Sequence, residues 1–65
     1  MSDKYSGMTV NERLFEAGLM SAFDQAARAR NKTKMVEILK KVELTDAQAN
    51  ETSVAIINSP SMYGY

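Results

Sequence analysis

A chain with neither cysteine nor histidine has no disulfide, and no thiolate or imidazole metal site, with which to fasten itself. Whatever it folds into must be held by apolar packing. At 65 residues this is a severe constraint, because a chain of that size buries only about 60% of the surface its unfolded form exposes. Efficient helix packing or self-association has to supply the margin, and a deep catalytic cavity would remove core the chain can hardly spare. With 45% hydrophobic and 25% charged residues, the composition is that of a folded domain, not a disordered tail.

The punctuation along the chain is helical. Residues 1–8 show no period and contain Gly7; they read as a flexible N-terminal arm with an exposed Tyr5. Residues 9–59 read as the helical domain, and 60–65 as a C-terminal tail. Thr9-Val10-Asn11-Glu12 is a capping box, so a helix should start at Val10. Leu14, Phe15, Leu19, Ala22, Phe23, Ala26 and Ala27 then form one broad apolar stripe at helical period. Gly18 interrupts the stripe and predicts a corner or kink, giving segments 10–17 and 19–30. Asn31 or Thr33 can cap a third helix over 32–43, whose Met35, Val36, Ile38, Leu39 and Val42 share a face. Thr45-Asp46-Ala47-Gln48 is a second capping box. It opens a helix over 46–58 expected to bury Ala47, Val54, Ile57 and also Ile56, and stopped by Pro60. No strand-like alternation and no repeat occurs. The expected architecture is all-α, a compact bundle of three to four short helices around one small core.

The string Asn11 to Leu19 (NERLFEAGL), with Phe23-Asp24, Met35, Ile38-Leu39, Val42, Ile56 to Pro60 and Tyr63-Gly64-Tyr65, resembles a set of short uncharacterised proteobacterial proteins with an NERLF-x-AGL opening and a YGY-like C-terminus. The resemblance covers about residues 9–65. It implies a small bacterial all-helical protein and no site residues. Two departures stand out: Asn31 occupies a position where that pattern has aspartate, and the last helix is more polar here.

The charge is segregated. Arg28, Arg30, Lys32, Lys34, Lys40 and Lys41 put a net +5 between positions 28 and 41, and the rest of the chain carries −5, so the formal net charge of zero conceals a bipolar molecule. Such a ridge is either a solvated face or a surface for phosphates or acidic partners. A second candidate surface is apolar: Phe15, Leu19, Met20 and Phe23 with Tyr63 and Tyr65. It would serve either as core or as an adaptable groove or homodimer interface. In the tail, Met62, Tyr63 and Tyr65 would fold back as a lid on the core or act as a short linear motif.

Glu12 and Glu16, four apart on one helical face, are candidates to share a cation with Asp24 or Glu51, but hard cations want more ligands at defined loop spacing, and the cap explains Glu12. No serine has a histidine base, and no glycine-rich phosphate loop exists. No catalytic residue, metal site or cofactor is therefore expected, nor a small-molecule substrate. No apolar run approaches eighteen residues, and no charged-then-apolar leader is present, so the chain reads as cytoplasmic and without a membrane partner. The expected function is a small non-catalytic interaction or regulatory module, binding a protein partner or itself as a homodimer. The alternative is nucleic-acid binding through the basic ridge.

Overall fold

Among the described residues three of the four α-helices end at left-handed residues, and these corners make the bundle. The computed structural model describes residues 5–65; the first part of the expected N-terminal arm lies outside them. The elements are α1 (Val10–Glu16), α2 (Met20–Arg28), α3 (Lys32–Lys41), α4 (Asp46–Asn58) and a C-terminal 3₁₀ turn (Pro60–Tyr63), with no strand among the described residues. The fold is all-α.

Each start follows its cap. Thr9 and Thr45 accept from the amides of Glu12 and Gln48 at 3.2 and 3.1 Å, and both Glu12 and Gln48 reach back to the cap amide. Asn31, not Thr33, caps α3, accepting from the Lys34 amide at 3.2 Å. The ends follow a second rule. Gly18, Arg30 and Glu43 have φ of 71°, 56° and 70°. The residue after each donates back to the carbonyl five positions earlier: Leu19 to Leu14, Asn31 to Ala26 and Leu44 to Leu39. This is the Schellman arrangement. It ends α2 and α3 two residues earlier than the apolar period suggests. Only Gly18 advertises it, since glycine adopts positive φ without strain.

The corners pack α3 against α4 and α2 against α3, with Leu14, Phe23, Met35, Leu39, Val42 and Ile56 buried in the shared core. α4 is rotated from the expected register. Ala49, Ser53 and Ile56 face inward, Ala47 is exposed, and Val54 and Ile57 are only partly covered. Ser53 takes an interior position in place of an apolar residue, which is why hydropathy misplaced this helix's inner face.

A further expectation is corrected, and for Phe15 one of two alternatives is selected. Tyr5 is buried, not exposed, at 7% accessibility; its ring lies under the Arg13 guanidinium, whose carbon is 5.9 Å from the ring centre. Phe15, part of the apolar stripe, lies outside the core at 77% accessibility. Leu14 and Phe15 are about 100° apart around the helix, and α1 has only Leu14 fully turned inward.

Candidate interaction face

α1 is fixed in orientation by Arg13. Its Nε donates to the Met8 carbonyl at 3.3 Å and its Nη1 to the Val42 carbonyl at 3.1 Å, so the guanidinium caps the end of α3 while its stem and Tyr5 cover the core edge. With Arg13 and Leu14 turned inward, Phe15 points out. Glu12 stays at the helix start, where hydrogen bonds from the Thr9 amide and hydroxyl hold its carboxyl below the usual carboxylate range.

Beside Phe15 lies a shallow hollow of about 390 Å³, whose lining includes Met8, Glu12, Glu16 and Met20. On the other side of Asn11, which lines both, a larger groove of about 640 Å³ separates the start of α1 from α4. Phe23 and Ile56 contribute to its floor, Glu51 stands on the α4 side, and Met62, Tyr63 and Tyr65 close the far side.

That far wall is the tail. Pro60 opens the 3₁₀ turn, a position where its missing N–H is no loss. Gly64 at φ 85° then reverses the chain, and the Tyr65 amide donates to the Pro60 carbonyl at 2.9 Å. The Tyr65 hydroxyl donates to Asp24 Oδ1 on α2 at 2.5 Å. Burial, then the hydrogen bond to Asp24 and the charge of that carboxylate, push the phenol up to about 12, against a smaller opposing pull from Arg28. The tail is thus folded back on the body, not extended.

The candidate apolar residues are divided by this geometry. Phe15 and Tyr63 are exposed, Leu19, Met20 and Tyr65 are partly covered, and Phe23 is a core residue at 2% accessibility, unavailable to a large partner. Met62, expected with the tyrosines in the tail's lid or linear motif and not in the apolar surface, is exposed at 79% accessibility. The signal for it was the Pro60 and Gly64 pair, which bends the tail into a turn and leaves the middle of that turn projecting.

The basic residues do not form one ridge. All six are exposed. Arg28, Arg30, Lys32 and Lys34 gather at the α2–α3 corner, where Arg30 Nη1 also donates to the Ala27 carbonyl at 3.3 Å. Lys40 and Lys41 sit at the other end of α3, Lys40 roughly 9 Å along the axis from Lys34 and roughly 12 Å from Lys32 at about 1.5 Å per residue, just beyond a physiological screening length of about 8 Å. Lys40 Nζ is paired with Asp46 Oδ1 at 2.7 Å. This bond, with the charge of Asp46, raises the ammonium pKa. On α3 itself Lys34 and Lys41 share one flank with Glu37 between them, while Lys32 and Lys40 lie on the other, at 100° per residue.

Among the described residues no three histidine, cysteine, aspartate or glutamate side chains gather to hold a metal ion, and no helix is long and apolar enough to cross a membrane. Compared with known protein families, curated proteins and solved structures, the chain matches none.

Proposed function

We propose that this protein is a small non-catalytic cytoplasmic module that works by binding another protein, or a second copy of itself, through the face formed by α1, α4 and the C-terminal turn. One observation carries the reading. Phe15, Met62 and Tyr63, the exposed large apolar side chains among the described residues, border two hollows that meet at Asn11. Scattered apolar residues on a surface are ordinary, but large exposed apolar side chains at the rims of two adjoining concavities are the pattern of an interaction site. Photo-crosslinking tests it in the host cell. A crosslinker at position 15 or 62 should give discrete protein adducts, and one at exposed Asn50 should not; the same adducts from all three positions, or none, would refute the reading.

A second reading, nucleic-acid binding, is supported by the four cations clustered at the α2–α3 corner, beside the amides of the α3 N-terminus. Retention on duplex DNA that weakens with salt, and is lost on Lys32→Glu with Lys34→Glu, is its expected signature. No retention at about 50 mM salt removes it.

A further inference from the structure

The charge around the two hollows points to the kind of partner they fit. We infer that this face takes a basic amphipathic helix, an inference that rests on the interaction reading above and names the partner's chemistry.

Among the described residues neither hollow is lined by a lysine or arginine, although seven of the chain's eight such residues are described. The charged residues that do line them are Glu12 and Glu16 beside Phe15, and Glu51 on α4. The distribution follows from the sequence. No base occurs after Lys41, so α4 and the tail contribute none. The one base of α1, Arg13, is bonded to the Met8 and Val42 carbonyls and lines a separate hollow beside Leu44 and Gln48; Arg28 of α2 acts on Tyr65, at the far side of the groove. An apolar centre with an acidic fringe is complementary to an apolar stripe with a cationic fringe.

A helix suits the shape. The walls are α1, α4 and a 3₁₀ turn, with no sheet edge among the described residues to pair an extended strand. α1 is seven residues long, which at 1.5 Å per residue is about 10 Å, the span of side chains at i and i+7 on a docked helix. Met8 and Met20 line the hollow beside Phe15, and Met62 the groove. Methionine is the side chain best able to reshape itself around a partner.

The acidic fringe disfavours a second copy. In a two-fold pairing a patch meets itself, which would set Glu12, Glu16 and Glu51 against their own counterparts. Nor can the basic α3 of another folded copy serve as the guest, because Met35, Ile38 and Leu39, its apolar side, are buried in its own core.

The test uses two designed helical peptides of the same length and apolar stripe, one of leucine and lysine, the other of leucine and glutamate. Each is titrated into the isotope-labelled full chain and followed by NMR. The lysine peptide should shift Phe15, Met20, Met62 and Tyr63, and the glutamate peptide should not. Phe15→Ser with Met62→Ser should weaken binding about tenfold or more, with the far-ultraviolet circular dichroism unchanged because both side chains are exposed. Glu16→Gln with Glu51→Gln should weaken it severalfold and flatten its dependence on salt between about 50 and about 300 mM; Glu12 is left in place because it holds the cap.

Equal binding of the glutamate peptide, shifts confined to other surfaces, or no binding of either peptide would overturn the inference. The broader interaction reading is judged separately, by the crosslinks from positions 15 and 62.

Discussion

Ser53→Ala should stabilise the protein. Ser53 lies on the inner face of α4 at 0% accessibility, and its hydroxyl has no hydrogen-bond partner. A buried polar group left unsatisfied costs about 1–3 kcal/mol of lost hydration. Alanine removes that cost and is also the better helix former by about 0.5 kcal/mol. Against this stands the loss of a few packing contacts by one oxygen. The expected net gain is about 1–2 kcal/mol, and each kcal/mol moves the Tm of a domain this small by roughly 4–8 °C. Thermal and urea unfolding followed by circular dichroism measure it. Ser53→Val is the control, because exchanging the hydroxyl for a methyl and adding a second methyl at a fully enclosed site should destabilise by about 1–3 kcal/mol through overpacking. A lower Tm for the alanine variant would refute the reasoning, since it would mean that the hydroxyl makes a bond worth more than its burial costs.

Gly18→Ala should destabilise by about 1 kcal/mol in the same assay; no atom lies near the added Cβ, so the cost is that of holding alanine at φ 71°. Glu43→Gly should stabilise by about 0.5–1 kcal/mol, relieving a left-handed non-glycine residue at φ 70° and removing an anion from the negative end of the α3 dipole. Tyr65 links stability to alkaline pH. Its folded pKa of about 12 lies above the ordinary 10.0, so across that window the unfolded chain loses the proton first and stability falls as pH rises. Urea unfolding at neutral pH and within the window should show part of this fall missing in Tyr65→Phe. Phe15→Gln should leave stability within about 0.5 kcal/mol, as for exposed positions generally, whereas Leu14→Ala should cost about 2–5 kcal/mol.

What was legible in the sequence was local. Thr9 with Glu12, Thr45 with Gln48, and Gly18 are complete signals within a few residues, because the hydrogen bonds they make close within one turn. The ends of α2 and α3 were not legible, because Arg30 and Glu43 take a glycine's conformation without being glycine, held there by the bonds of the residues that follow. The burial of Tyr5 depends on Arg13 reaching Val42, twenty-nine positions away, and no window of sequence contains that contact. The inner face of α4 was misread because hydropathy ranks Val54 and Ile57 above Ser53, while the rotation of the helix is set by its packing on α3. All six basic positions are exposed, and their division into two groups follows from the rise of α3 between Lys34 and Lys40, a separation that the charge count over positions 28–41 does not register.

The position of Phe15 is the residue-level expression of a conflict that a chain this size cannot avoid. At roughly 0.05–0.15 kcal/mol per residue its whole stability is on the order of 3–10 kcal/mol, and fully burying one phenylalanine is worth about 1.5–3 kcal/mol. Turning α1 to bury Phe15 would swing Arg13 off the Met8 and Val42 carbonyls and uncover Tyr5, and it would move Leu14, which has no exposed surface at all, out of the core. With seven residues α1 presents too narrow an inner face for both neighbours. The geometry keeps the aliphatic residue and the arginine clasp inside and leaves the aromatic ring outside. The tail follows the same logic: Tyr65 bonds Asp24, so the turn projects Met62 and half exposes Tyr63. The apolar face is thus fixed by the contacts that hold the fold, and a partner that covers it recovers burial which the monomer has no geometry to obtain alone.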